Sequence, residues 1–156
     1  MHKTLEPLTL FLGHWNMQGQ QLKGPVGPAA SVTATDRYEV LQGGHFLVHH
    51  FEGKVGPNDA SCLEVIGYDR ARDCYSAHTY YNNGVTNQWE LRGQGKTWKL
   101  SGAWDMDGQR AQVRCTIQFD PSGDHNSALW EISQDGIEWQ TFWKIQSQRV
   151  KHPAKV

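Results

Sequence analysis

The sequence predicts an all-β protein, a roughly ten-stranded antiparallel barrel with a short N-terminal helix. Three observations carry that prediction. After Gly13 the apolar residues recur with a period of two. Turn chemistry interrupts them roughly every 8–12 residues. The breaks are mostly short, so consecutive strands should pair as hairpins in a meander, and a meander of that many strands tends to close and lose its exposed edges.

The helix comes first. In "MHKTLEPLTLFLGHW" Thr4 is placed to cap it and Pro7 sits in its first turn; Leu5, Leu8 and Leu12 recur at helical spacing, and Gly13 ends it. Such a short helix cannot stand alone and suits a lid or plug. The strand runs follow, over residues 14–23, 31–41, 45–53, 62–68, 74–81, 85–92, 97–104, 110–119, 128–133 and 141–149. Between them lie "GPVGP", "QGG", "GPND", "DRARD", "NNG", "GQGK", "DMDG", "DPSGD" and "QDG". No repeat or linker divides the chain, so residues 1–156 read as one domain, with 1–3 and 150–156 as frayed tails.

Alternation assigns faces in several strands. Trp98, Leu100, Gly102 and Trp104 should point inward, as should Ala111, Val113, Cys115, Ile117 and Phe119. Val85, Asn87, Trp89 and Leu91 form the inward set of their run, and the amide of Asn87 then needs a partner or a ligand. Two runs do not alternate. "HFLVHHFEG" buries either Phe46, Val48, His50 and Glu52 or Leu47, His49 and Phe51. "CYSAHTYY" buries either Tyr75, Ala77, Thr79 and Tyr81 or Ser76, His78 and Tyr80. Each choice puts a polar ring inside, which suits a cavity better than a solid core. A barrel of about ten strands is also wider than the eight-stranded kind that side chains just fill.

Composition narrows the function. The formal net charge is −1 with both signs mixed along the chain, so no basic stripe offers itself to nucleic acid. No apolar stretch is long enough for a membrane span or a signal sequence. The three cysteines, Cys62, Cys74 and Cys115, lack metal-site or disulfide-framework spacing. Together these point to a cytoplasmic protein. No metal site is expected: His49 and His50 are adjacent on a strand and face opposite ways.

The order of motifs adds a resemblance. "LFLGHWNMQGQ", "GGHFLVHHFEG", "GYDRARDCYSAHTYYNNG" and "LWEISQDGIEWQTFWKIQSQR" together resemble a bacterial calycin-like domain family of unknown function, related to lipocalins and fatty-acid-binding proteins. The resemblance implies a ten-stranded barrel, often a homodimer, with Trp15 packed across one end. Haem-binding nitrobindins, also calycins, start similarly with "LLG-x-W-x-G-x-G", matched here at Leu12, Gly13, Trp15 and Gly19. Their haem ligand is a late histidine, and residues 128–149 contain none, so no cofactor is expected.

The expected function is binding of a small, largely apolar or aromatic molecule inside the barrel, with His50, His78, Tyr81, Asn87, Trp89, Trp104 and Trp143 as the contact residues. Trp15, Trp98, Trp104 and Trp130 read first as core or barrel-end packing, with Trp104 also within reach of the cavity. An alternative is a cavity enzyme of isomerase, cyclase or dehydratase type. It would use a His/Glu acid–base pair drawn from His50, Glu52, His78 and Glu131. A homodimeric interaction module is a third reading. Cys115, in apolar surroundings, is a poor nucleophile.

Overall fold

In a computed structural model, which describes residues 1–151, ten strands close into an antiparallel barrel. They are β1 (Gly13–Gln21), β2 (Ala30–Val40), β3 (Phe46–Val55), β4 (Asn58–Asp69), β5 (Cys74–Tyr81), β6 (Thr86–Gln94), β7 (Thr97–Met106), β8 (Gln109–Phe119), β9 (His125–Ser133) and β10 (Gln140–Arg149). Each pairs with its neighbours in sequence, and β10 returns to β1 with Arg149 opposite Trp15 and Trp143 opposite Gln21.

The strands fall within about two residues of the expected runs, apart from two longer extensions. β4 begins at Asn58 because the break narrows to a two-residue turn at Gly56 and Pro57, where Gly56 adopts φ +57°. β9 begins at His125, which stands opposite Gln148 of β10. Val85, expected inward, lies outside β6 in the turn before it and is exposed. Of the tail expected over 150–156, residues 152–156 lie outside the described residues.

The helix differs from its expected form. It is a 3-10 helix over Lys3–Phe11, capped by His2, whose Nδ1 accepts from the Thr4 N–H. Three residues per turn bring Leu5, Leu8 and Phe11 onto one buried face, so Phe11 takes the place that a 3.6-residue period gives to Leu12. The tail expected over residues 1–3 is tied down, since the His2 N–H donates to Gly44 O at 2.7 Å.

This helix plugs one end of the barrel. Phe11 meets Trp98 and Phe119 edge-on at 5.5 and 5.1 Å. Trp15 Nε1 donates to Phe11 O at 2.8 Å, and the Tyr75 hydroxyl donates to Thr4 O at 2.7 Å. Arg149 latches the same end. Its guanidinium lies 4.2 Å over the Trp15 ring and donates to the carbonyls of Leu10, Leu12 and Gly123 and to Asp124.

Candidate functional site

Above the plug the barrel encloses a cavity of about 510 Å³. It extends to the far end, where Val55 and Asp59 near the β3–β4 turn and Asn82 and Asn83 of the β5–β6 turn line it. That volume suits a small organic molecule.

One side of the cavity is aromatic. Trp89 of β6 contacts Trp104 of β7 and Trp130 of β9 edge-on at 6.1 and 5.8 Å, and Trp130 contacts Trp143 of β10 at 6.3 Å. Gly102 makes this wall possible. A Cβ on its inward face would stand 2.5 Å from Trp89 Cε3, so only glycine lets the indole lie against β7. The Trp143 indole N–H is held by Gln21 Oε1 at 2.8 Å, and Gln21 is fixed in turn to Pro28 O.

The opposite side, on β2 to β5, carries a row of polar groups. In an antiparallel sheet directly paired residues share a face. His49 pairs with Tyr38 on one side and Glu64 on the other, and Glu64 pairs with Thr79. His49 Nε2 lies 2.8 Å from Asp36 Oδ1 and its Nδ1 lies 3.2 Å from Glu64 Oε1. Thr79 Oγ1 donates to Glu64 Oε2 at 2.6 Å. The Tyr38 ring stacks on the imidazole at 4.0 Å, with the two planes 1° apart.

This geometry fixes charge. Burial alone would lower the pKa of His49, but the charge and hydrogen bond of Asp36, joined by those of Glu64, raise it from 6.5 to about 9. At neutral pH the ring is therefore an imidazolium donating from both nitrogens. Burial also raises Glu64, yet its bonds to His49 and Thr79 prevail and hold the carboxyl below its ordinary value. Burial pushes the Tyr38 phenol up, with Asp36 and Glu64 adding to it. Tyr81, on the same face of β5, is raised to about 12, first by burial and then by Cys62 and Glu64, against hydrogen bonding with Trp89 and Trp104.

The expected site residues divide by face. Tyr81, Trp89, Trp104 and Trp143 line the cavity. Trp130, read first as packing, lines it as well. Asn87 follows the inward parity of Trp89 at the far end of β6. Its Oδ1 accepts from the Gln88 N–H at 3.0 Å, and its Nδ2 is buried without a partner among the described residues.

His50, Glu52, His78 and Glu131 belong to the outer face, which corrects their assignment to the interior. Once His49 and Thr79 point in, strand alternation turns their neighbours out. His50 Nε2 stands 3.8 Å from Glu39, His78 contacts Ser76 at 3.2 Å, and Glu131 pairs with Arg114 at 2.9 Å. No His/Glu pair forms among these four. The pair that does form is His49–Glu64, with Asp36 and Thr79. Its sequence signal was carboxylates at inward parity, Asp36 between Ala34 and Tyr38 and Glu64 between Cys62 and Ile66.

Among the described residues no three His, Cys, Asp or Glu side chains are grouped to hold a metal ion. Among the described residues His49 is the histidine lining the cavity, and both of its nitrogens are engaged, so none of them offers a free imidazole to a haem iron there. No helix among the described residues is long and apolar enough to cross a membrane.

Fold and site define a closed ten-stranded antiparallel barrel with one end plugged and an amphipathic cavity inside. The chain belongs to the family described as protein of unknown function (DUF1579), which matches residues 1–149. Two solved structures are similar in fold. Rv2717c from M. tuberculosis superposes with a TM-score of 0.71 at 16% identity, covering 97% of this chain and 99% of its own. The S-type phycobiliprotein lyase CPES from Guillardia theta gives a TM-score of 0.58 at 13% identity, covering 99% and 95%. No curated protein matches.

Proposed function

We propose that this protein binds a small, largely apolar or aromatic molecule in the barrel interior. The supporting observation is the amphipathic cavity itself: a tryptophan wall for a flat apolar body, and across from it a hydrogen-bonding row for a polar end. A phycobiliprotein lyase with a barrel of the same fold is in keeping with small-molecule chemistry in such an interior. The reading takes the barrel as calycin-like and cytoplasmic, with its three cysteines free. Native mass spectrometry of protein purified gently from its own cells tests it. A co-purifying small molecule, lost when Ala128 of the cavity wall is replaced by Trp, supports the reading. An apo mass together with no uptake of an apolar dye refutes it.

A second reading has a specific observation behind it, the buried Asp36–His49–Glu64 row, which places titratable groups within hydrogen-bond reach and shifts them. In that reading the row would supply a proton to a bound substrate. The doubly donating imidazolium argues for orientation and electrostatics first, since neither ring nitrogen is free. His49→Gln separates the two: binding kept with turnover lost indicates catalysis. A homodimer is in keeping with the outer face, where Leu63 and Tyr80 stand side by side on β4 and β5 and are 39% and 52% exposed. Sedimentation of wild type and Tyr80→Lys tests it.

A further inference from the structure

The charge of the cavity wall limits what kind of molecule the interior accepts. Its charged lining groups are Asp36, Glu64, Asp59 and His49, and no lysine or arginine lines it among the described residues. Asp59 is neutralised at the rim by Lys54, 2.6 Å away. In the interior that leaves two carboxylates against one imidazolium, a net negative charge. The single cation is already spent, with both N–H groups donated to Asp36 and Glu64. Asp36 Oδ1 is taken by His49, while no described residue donates to Oδ2.

From this we infer that the cavity selects flat aromatic molecules carrying a cationic or hydrogen-donating nitrogen end, and rejects carboxylates and other anionic amphiphiles. The inference rests on the internal-binding reading above and specifies its ligand class. The physical basis is desolvation. An anion entering the barrel loses its hydration and meets no unpaired cation, while like charges stand along β2 and β4. An ammonium group meets the Asp36 and Glu64 carboxylates on one side. On the other it meets the electron-rich faces of Trp89, Trp104 and Trp130, which attract cations. Neutral aromatics with an N–H or O–H donor fall between the two. The wall is thus the reverse of a fatty-acid site, where a basic side chain would be needed to hold the carboxylate.

A matched trio of naphthalenes tests this on the full-length protein: 2-naphthylmethylamine (a cation at pH 7), 2-naphthylmethanol (neutral) and 2-naphthylacetate (an anion). Affinities come from titration calorimetry, with saturation-transfer NMR to detect weak binding. We expect the amine to bind at least tenfold more tightly than the acetate, with the alcohol between them. Glu64→Gln, which keeps the hydrogen-bonding shape, and Asp36→Asn should each bring the amine-to-acetate ratio toward one. Acetate binding as tight as the amine overturns the inference while leaving internal binding intact. So does an unchanged ratio in both variants when their circular dichroism shows them folded. Failure of all three probes to bind overturns the cavity reading itself, and this inference with it.

Discussion

Replacing His49 by Gln should remove a pH dependence of stability that the wild-type protein shows between about pH 6 and 8.5. In the folded barrel His49 lies between Asp36 and Glu64, which raise its pKa from 6.5 to about 9 against the cost of burial. The folded state thus holds this proton more tightly than the unfolded chain. The stabilisation is complete below the unfolded value of 6.5 and is lost as pH rises through about 9. At about 1.4 kcal/mol per pH unit, the shift is worth about 3 kcal/mol at most, of which about 2.5 kcal/mol disappears between pH 6 and 8.5. For a domain of this size that is a fall in Tm of roughly 5–10 °C.

The assay is chemical denaturation of wild type and variant at half-unit pH steps, stopping at 8.5. Above that, ionisation of Cys62 in the unfolded chain enters, because burial holds its folded pKa up at about 12. Removing the cation leaves Asp36 and Glu64 buried without their partner, so His49→Gln should lose about 3–5 kcal/mol at pH 6. Its curve should then run flatter than wild type. Subtraction cancels the other histidines. Parallel curves across the window refute the claim that His49 is a buried cation.

Three further outcomes can be checked with purified protein. Arg149→Ala strips donors from the Leu10, Leu12 and Gly123 carbonyls and uncovers Trp15, for a loss of about 2–4 kcal/mol. Arg149→Lys should not restore it, and hydrogen exchange should speed up at residues 10–13. Gly102→Ala forces a methyl against the Trp89 ring and should cost about 1–3 kcal/mol, with an altered near-ultraviolet dichroism signal from the indole cluster. Thr79→Val removes the hydroxyl bonded to Glu64 at 2.6 Å and should lose about 1.5–3 kcal/mol in urea denaturation.

Strands with strong contrast between faces were legible in the sequence. β8 alternates Ala111, Val113, Cys115 and Phe119 with Gln112, Arg114 and Gln118, and the first set is buried. β3 and β5 were not legible because their doublets, His49–His50 and Tyr80–Tyr81, place equivalent rings on both faces. Their orientation is decided across the ladder, by Tyr38 and Glu64 against His49. The cavity's aromatic wall could be read only in part: Trp89 and Trp143 were placed there, whereas Trp130 was read as packing, because inward parity alone does not separate a cavity-lining indole from one such as Trp98 that packs against the plug. The polar row could not be read from single strands, since it exists only when four strands align. The helix face was missed because leucine spacing alone does not distinguish three residues per turn from 3.6.

The seam between β1 and β10 has a consequence for how the chain reaches this shape. Every other strand pairing joins neighbours in sequence and can form hairpin by hairpin as the chain emerges during synthesis. The seam cannot, because it brings Trp15 of the first strand and Arg149 of the last together across the whole length of the barrel's sequence. Closing so long a loop carries an entropic cost that local contacts do not share. Until residue 149 has left the ribosome the sheet is an open ribbon, with the tryptophans of β6, β7 and β9 facing water and two bare edges ready to pair with another chain. The final strand therefore both completes the barrel and ends a period of exposure in which chaperones have most to offer.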